Sequence, residues 1–201
     1  MMKTKEKILV VALEMFNRTN TQAVTTNHIA KEMGISPGNL HYHYKNREEI
    51  VRILYTQMRS QLSLPIQELP KTLTELVAHQ ETIFSVTWHY RFFHRELLCL
   101  LSRDPLLQQQ YVQDNIAHRL RIKQVIQNLI DEGEIAIPYD NVIDYIADSI
   151  LLTFQFWNPF MTTLGKTPTK ETLIEGIHKT NSFFRPYLTP KALKTLARLE
   201  A

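Results

Sequence analysis

The sequence is poor in cysteine and glycine. Its single cysteine, Cys99, excludes an internal disulfide, and the leucines on both sides of it favour a buried thiol over a redox sensor. Five glycines and nine prolines among 201 residues, with 44% hydrophobic residues, exclude a low-complexity or disordered chain. A chain of this length and composition can bury a substantial core.

Long apolar runs are also missing. No stretch of about 18 uncharged apolar residues is present, which is the minimum for a membrane-spanning helix. The first residues, MMKTKEKI, lack the apolar segment of a signal peptide. We therefore expect a soluble, cytoplasmic protein that has no membrane partner.

Catalytic and metal-binding signatures are missing as well. The sequence has no glycine-rich phosphate loop, no serine in a nucleophile elbow and no cysteine cluster. His41 and His43 are two residues apart, and His89 and His94 are five apart, so neither pair has the i, i+4 spacing of a helical zinc site. We expect no enzyme activity, no metal and no cofactor.

Residues 25–50 contain the most informative pattern that is present. Thr25 is a good helix N-cap, and Gly34 can adopt the left-handed backbone conformation that often ends a helix. Ser36 and Pro37 then form the N-cap and first position of a second helix. The sequence predicts two short helices joined by a tight turn, and Asn46 as the cap of a third.

The second of these helices, about residues 37–44, is too polar to be buried on all sides. Leu40 is its one aliphatic residue, so Asn39, His41, Tyr42 and His43 cannot all face inward. Asparagine can pair with an adenine edge, and tyrosine, histidine and lysine side chains can donate to phosphates. The pattern favours a helix that contacts nucleic acid, although a capped polar surface helix would look similar.

The distribution of charge supports this interpretation. Residues 1–60 contain nine Lys/Arg and five Asp/Glu, whereas residues 61–201 contain fourteen and fifteen. The excess positive charge therefore lies in the segment that carries the helix pair. Such asymmetry is typical of a DNA-binding end joined to a body with another task.

At these residues the chain resembles the TetR family of bacterial transcriptional regulators. The resemblance is carried by Thr25-x-x-x-Ile29-Ala30, by Gly34-Ile35-Ser36-x-Gly38-x-Leu40 and by Tyr42-His43-Tyr44-Lys45-Asn46-Arg47-Glu48-Glu49-Ile50. It implies a helix-turn-helix whose second helix enters the major groove. One residue departs from the pattern, because His41 stands where the family usually has a tyrosine that contacts the DNA backbone.

The resemblance also implies which residues contact DNA. Asn39, with Pro37 and Gly38, would approach base edges, and residues around them would position the phosphates. The predicted DNA-binding residues are Thr25, Thr26, Ser36, Pro37, Gly38, Asn39, His41, Tyr42, His43, Lys45 and Arg47.

The remaining sequence predicts an all-α protein of two domains. An amphipathic helix over about residues 3–17 completes a three-helix DNA-binding domain at residues 1–63, with the motif at about 26–45. Pro65 and Pro70 bracket a connector that cannot be uninterrupted helix. Residues 64–201 show helical periodicity and no alternating strand pattern, so we expect a helical effector-binding and dimerisation domain there.

Large aromatic residues in the helical body are candidates for lining an effector pocket, although most aromatics at helical spacing belong to a core. Basic side chains nearby, Arg91 and Arg95 among them, would orient a polar group or serve as caps. The expected effector is aromatic or carries an acyl chain. The predicted pocket residues are Phe84, Trp88, Phe92, Phe93 and Tyr111.

The helix around residues 142–157 is apolar in almost every direction in its second half, which indicates burial on more than one side. It is either a central core helix or a helix shared with a second subunit. The family resemblance favours a homodimer formed by this helix and the next long one. The predicted interface residues are Ile150, Phe154, Trp157, Leu173, Ile177 and Phe184.

Together these features predict a ligand-responsive repressor that binds a palindromic operator as a dimer and is released by a small molecule. The alternative is an architectural, nucleoid-associated protein without a ligand. A helical body of roughly 130 residues argues against this alternative, because coating DNA does not require one.

Overall fold

The computed structural model describes residues 3–139 and 141–199. These residues form ten α-helices and no β-strand, apart from a single bridge between Ile135 and Leu188. The expected all-α class is therefore confirmed. The helices are α1 (Thr4–Arg18), α2 (Thr26–Glu32), α3 (Pro37–His43), α4 (Arg47–Leu62), α5 (Leu73–His89), α6 (Arg91–Arg103), α7 (Pro105–Asp131), α8 (Asn141–Thr163), α9 (Lys170–Ser182) and α10 (Pro190–Leu199).

The chain divides into two compact units. The first unit consists of Met1–Gln61 and His89–Tyr111, and the second of Leu62–Trp88 and Val112–Ala201. Residues 89–111, which contain α6, are thus grouped with the helix-turn-helix, although the sequence pattern predicts them to be part of the helical body. The functional division at residue 63 stays a prediction.

The core of the first unit forms between α1 and the helices that follow it. Ile8, Phe16 and Ile29 are completely buried, as are Leu40 of α3 and Phe92 of α6. Burying large apolar side chains on these four helices stabilises the unit, because α2 and α3 have only 7 residues each and are too short to be stable alone.

Polar contacts fasten α6 to the end of α1. Asn17 donates to the His89 carbonyl at 2.8 Å and accepts from the Phe92 N–H at 3.1 Å. The Arg95 guanidinium donates to the Phe16 carbonyl at 2.7 Å. These contacts satisfy backbone groups left free at the helix ends, and they show Arg95 acting as a cap within the first unit.

The second unit has a separate core. It combines buried residues from α5, α7, α8 and α10 with Phe184 and Leu188, which lie between α9 and α10. The Glu134 carboxylate accepts from the Leu73 N–H at 2.5 Å, so the turn after α7 caps the start of α5. Arg119 of α7 pairs with Asp144 and Asp148 of α8 at 2.6 and 2.5 Å.

Candidate nucleic-acid interface and cavity

The turn between α2 and α3 has well-defined caps at both ends. The Thr25 hydroxyl accepts from the His28 N–H at 3.2 Å, which caps α2. Gly34 has φ +66°, and the Ile35 N–H donates to the Ala30 carbonyl at 3.0 Å. With a second bond from the Gly34 N–H to the Lys31 carbonyl, this is a Schellman ending, and it needs a residue that tolerates positive φ.

α3 starts immediately after this turn. The Ser36 hydroxyl accepts from the Asn39 N–H at 3.2 Å, and Pro37 occupies the first helical position. Both predicted caps are present. Because both ends of the connection are fixed, the direction of α3 relative to α2 is fixed too.

α3 has one buried side and one exposed side. Leu40 is fully buried, whereas Asn39 and His41 are exposed and Tyr42 is 86% exposed. The Asn39 side chain has no hydrogen-bond partner in the part of the chain that the structure describes. The exposed side therefore offers an amide, an imidazole and a phenol to a partner.

The side chain of Tyr44 holds the end of α3 against α1. It is 1% exposed, its hydroxyl donates to the Lys5 carbonyl at 3.0 Å, and the Lys5 ammonium lies 5.6 Å from the ring centre. Burial, with a smaller effect of Glu49 and Glu6, raises the pKa of Tyr44 to about 12. The phenol therefore stays protonated and keeps donating throughout the physiological pH range.

The side chains of the residues after α3 differ in whether they have partners within the protein. Asn46 accepts from the Glu49 N–H at 2.8 Å, as predicted for a cap. Lys45 has an exposed side chain. Arg47 is used within the protein: its guanidinium donates to the Thr21 carbonyl at 2.8 Å and to the Glu48 carboxylate at 2.6 Å. Arg47 thus holds the segment that precedes α2 in place.

Two residues of α3 have a distinctive local geometry. The Nδ1 atom of His41 lies 3.3 Å from the Lys45 carbonyl, a contact that requires the proton on Nδ1. Gly38 lacks positive φ, and a Cβ placed there would meet nothing closer than the Ser36 hydroxyl at 4.0 Å. Internal packing therefore does not require glycine at position 38.

The second unit contains a cavity of about 120 Å³. Its walls come from α5, α7, α8 and α9, from the end of α4 and the segment after it, and from Phe184 after α9. Most lining residues are aliphatic, with two phenylalanines and a few polar groups. The lining residues are Leu62, Leu64, Leu69, Pro70, Leu76, His79, Gln80, Ile83, His118, Arg121, Ile122, Val125, Ile150, Leu151, Phe154, Ile177, Thr180 and Phe184.

Family models cover nearly the whole chain. Residues 8–53 match the model described as bacterial regulatory proteins, tetR family, and residues 54–196 match the model described as bacterial transcriptional repressor. The chain belongs to the TetR family. The predicted family and the predicted role as a DNA-binding transcriptional regulator are thereby confirmed.

Individual proteins agree with the TetR assignment. A crystal structure of a TetR-family transcriptional regulator from Marinobacter aquaeolei VT8 is 33% identical, with a TM-score of 0.88 over 99% of this chain and 98% of that one. The transcriptional regulator QacR of Staphylococcus aureus is 45% identical over 49 residues, which are 24% of this chain and only 26% of QacR. SmeT of Stenotrophomonas maltophilia, solved as a complex with triclosan, shares the fold at 14% identity, with a TM-score of 0.59 over 94% of this chain and 93% of that one.

The residues predicted to line a TetR-type effector pocket lie elsewhere than the cavity. Phe92 and Phe93 are buried in the first unit, where the Phe93 ring stacks on Tyr55 at 4.8 Å and lies 6.1 Å from Tyr111. Burial raises the pKa of Tyr111 to about 12. In the second unit, the Trp88 ring lies 5.8 Å from the Lys170 ammonium.

Phe84 is half-buried on α5. None of the five predicted pocket residues borders the cavity, and their assignment to an effector site stays a prediction. The cavity's own polar residues on α7, His118 and Arg121, were not among the predicted pocket residues. Their spacing of three, followed by Val125 four residues later, was the available signal.

The residues predicted for a dimer interface make contacts within the second unit. Leu173, Ile177 and Phe184 are buried, while Ile150 and Phe154 border the cavity. The assignment of these residues to a dimer interface stays a prediction.

Trp157, the sixth of these residues, joins α8 to α9. Its indole N–H donates to the Thr172 carbonyl at 2.6 Å. A Cβ at Gly176 would collide with the Trp157 ring, so glycine allows this close packing.

No helix among the described residues has the length and apolar character needed to cross a bilayer.

Proposed function

We propose that the protein acts in the cytoplasm, at the nucleoid, as a homodimeric repressor that leaves its operator when a small molecule occupies the cavity. The observation that carries the proposal is the exposed side of α3, held by the buried Leu40 and Tyr44. The proposed binding to DNA, the dimer and the effector each rest on separate features of the structure.

Asn39 is the proposed base-reading residue. Its free amide can pair with both the N6 amino group and N7 of an adenine in the major groove. Pro37 and Gly38 precede it, and the open space at Gly38 lets the DNA approach the backbone closely. Base contacts supply sequence specificity, whereas phosphate contacts supply position.

The proposed phosphate contacts surround this residue. Tyr42, His43 and Lys45 extend along and beyond α3, and Thr25 and Thr26 begin α2. We also propose that His41, in its doubly protonated imidazolium form, donates to a phosphate through Nε2 while Nδ1 donates to the Lys45 carbonyl. The Ser36 and Thr25 hydroxyls each accept a backbone N–H as a helix cap and can still donate their own O–H to a phosphate, whereas Arg47 contributes by holding the segment before α2 in place.

The proposed dimer interface is the exposed apolar side of α8 and α9. Tyr145, Leu152 and Phe160 are 62%, 63% and 49% exposed, and Ile174 of α9 is 37% exposed. A run of large exposed apolar residues on two packed helices is typical of an association surface. A two-fold dimer would bury this surface against its own copy and present two α3 helices to a palindromic site.

The proposed route from effector to DNA follows helices that take part in both units. α4 ends at Leu62, which borders the cavity, and α7 contributes His118, Arg121 and Val125 to it. In the first unit, Arg52 of α4 pairs at 2.5 Å with Asp104, the cap of α7. An effector that favours one position of these helices shifts the spacing of the two α3 helices, so that both half-sites can no longer be contacted together.

Asn39→Ala should weaken binding to the specific site by about 1–3 kcal/mol and leave binding to unrelated DNA unchanged. Gel-shift titration of both DNAs at one salt concentration measures this ratio. Gln113→Ala removes an exposed amide from α7 in the second unit and serves as the matched control. An unchanged ratio for Asn39→Ala would exclude Asn39 from base recognition.

A further inference from the structure

The titratable side chains that line the cavity are all basic. Its titratable residues are His79, His118 and Arg121, and none of its lining residues is Asp or Glu. Burial lowers the pKa of His79, so its neutral form is favoured. The Arg121 side chain is a positively charged guanidinium. The cavity therefore has no carboxylate to neutralise a cationic ligand and one fixed positive charge to attract an anion.

Arg121 also has an unused donor. Its Nε atom is buried and has no hydrogen-bond partner within residues 3–139 and 141–199. An unpaired buried donor is costly, and a guanidinium can give two parallel hydrogen bonds to a carboxylate. Gln80, by contrast, already exchanges hydrogen bonds with Asn181, at 2.6 and 3.2 Å. Arg121 is therefore the cavity residue best prepared to receive an acceptor from a ligand.

The position of Arg121 suits a ligand whose polar end faces outward. Arg121 also borders a shallow outer groove, together with Leu120, Lys123 and Gln124. It thus lies at the edge of the cavity, between its apolar interior and the surface. A ligand can place its apolar part inside while its charged group remains beside the guanidinium.

The size of the cavity limits the apolar part of the ligand. A volume of about 120 Å³ is slightly below the roughly 150 Å³ of a dry, Leu/Ile/Phe-lined protein cavity that holds benzene. Leucine, isoleucine and valine side chains make up most of the walls, with Phe154 and Phe184. One six-membered ring, or a short acyl chain of similar volume, fits this space.

We propose that the effector is a small carboxylate, with an apolar body about the size of one ring, whose carboxylate pairs with Arg121. This inference rests on the proposed function, because it names the chemical class of the molecule that occupies the cavity. It excludes organic cations as ligands of this cavity.

A matched series of ligands tests the inference on the full-length protein. Benzoate, benzyl alcohol and benzylamine share one ring and differ in charge, and isothermal titration calorimetry measures their affinities. We expect benzoate to bind at least about tenfold more tightly than benzyl alcohol, the factor typical of a hydrogen bond to a charged group. Benzylamine should bind more weakly than the alcohol.

Two variants of α7 separate Arg121 from a general effect of charge. Arg121→Met should bind benzoate no more tightly than benzyl alcohol, and Arg121→Lys should restore part of the preference. Arg119→Met is the control, because Arg119 is two residues away, pairs with Asp144 and Asp148, and does not border the cavity. The control should keep the full preference for benzoate. Thermal unfolding should show that Arg121→Met remains folded, since the variant removes an unpaired buried donor.

Several results would overturn the inference. Equal or tighter binding of benzyl alcohol or benzylamine would do so, as would the absence of benzoate binding or a preference that survives Arg121→Met. The proposed function is judged separately, by gel shift with operator DNA. If benzoate binds through Arg121 without weakening operator binding, the anion site stands and its proposed role as the effector site is wrong.

Discussion

Replacing Leu152 by glutamate should convert the protein from a dimer to a monomer and weaken operator binding by about two to four orders of magnitude. Leu152 is 63% exposed on α8, between Tyr145 and Phe160. In the proposed dimer the substitution would bury a carboxylate from each copy without a partner, which is costly. Each remaining monomer would hold one half-site only and would lose the advantage of two linked contacts.

Sedimentation equilibrium measures the oligomeric state, and gel shift with the complete operator measures the loss of affinity. Leu120→Glu is a matched control, because Leu120 is 59% exposed and lies on α7 in the same unit. This control should remain a dimer with normal operator affinity. A Leu152→Glu variant that stays dimeric would place the interface elsewhere on the protein.

Leu40→Ala should lower the free energy of unfolding by about 2–5 kcal/mol, the usual cost of truncating a fully buried leucine. Leu40 is the buried residue of α3, and α3 has no other aliphatic side chain with which to pack. Loss of this anchor should also abolish specific DNA binding, because Asn39 is then no longer held in position.

Tyr42→Ala is the comparison within the same helix. Tyr42 is 86% exposed, so this variant should unfold within about 0.5 kcal/mol of the parent protein while binding DNA more weakly. Urea unfolding followed by circular dichroism, at one protein concentration, measures both stabilities. If Leu40→Ala is as stable as Tyr42→Ala, Leu40 does not anchor the helix.

Local sequence signals mark several helix ends, and those at Gly34 and Ser36 were predicted. Gly34 ends α2 with the expected positive φ, and Gly133 follows α7 with φ +67°. Asp104 with Pro105 starts α7, and Pro190 starts α10. Each of these signals acts through the backbone of one or two residues, so it can be recognised without knowledge of the fold.

Helix ends set by distant residues could not be predicted in this way. α5 stops at His89 and α6 starts at Arg91 inside an aromatic stretch that has no glycine or proline. Asn17, 72 residues earlier in the chain, bonds the free backbone groups of both helices there. α8, by contrast, continues past Trp157 and through Pro159 to Thr163 and ends locally, at Gly165 with φ +73°.

The exposed side of α3 was also predictable from the local sequence. α3 is short and has one aliphatic residue among polar ones, so the side that carries this residue faces the core and the other side is exposed. The cavity was not predictable, because five helices and the segment after α4 meet to form it. Apolar residues such as Ile150 and Phe154 have the same appearance in a sequence whether they border a cavity, a core or a second subunit.

The central claim is that two copies of α3 read the two halves of one operator, and selection of bound sites from random-sequence DNA by the purified protein tests it most directly. The account predicts an inverted repeat whose half-site centres are separated by about 10 base pairs or a multiple of that spacing. Asn39→Ala should lose selectivity at a symmetric pair of positions within it. Recovery of DNA without any sequence preference, or of a single unrepeated half-site, would contradict the account.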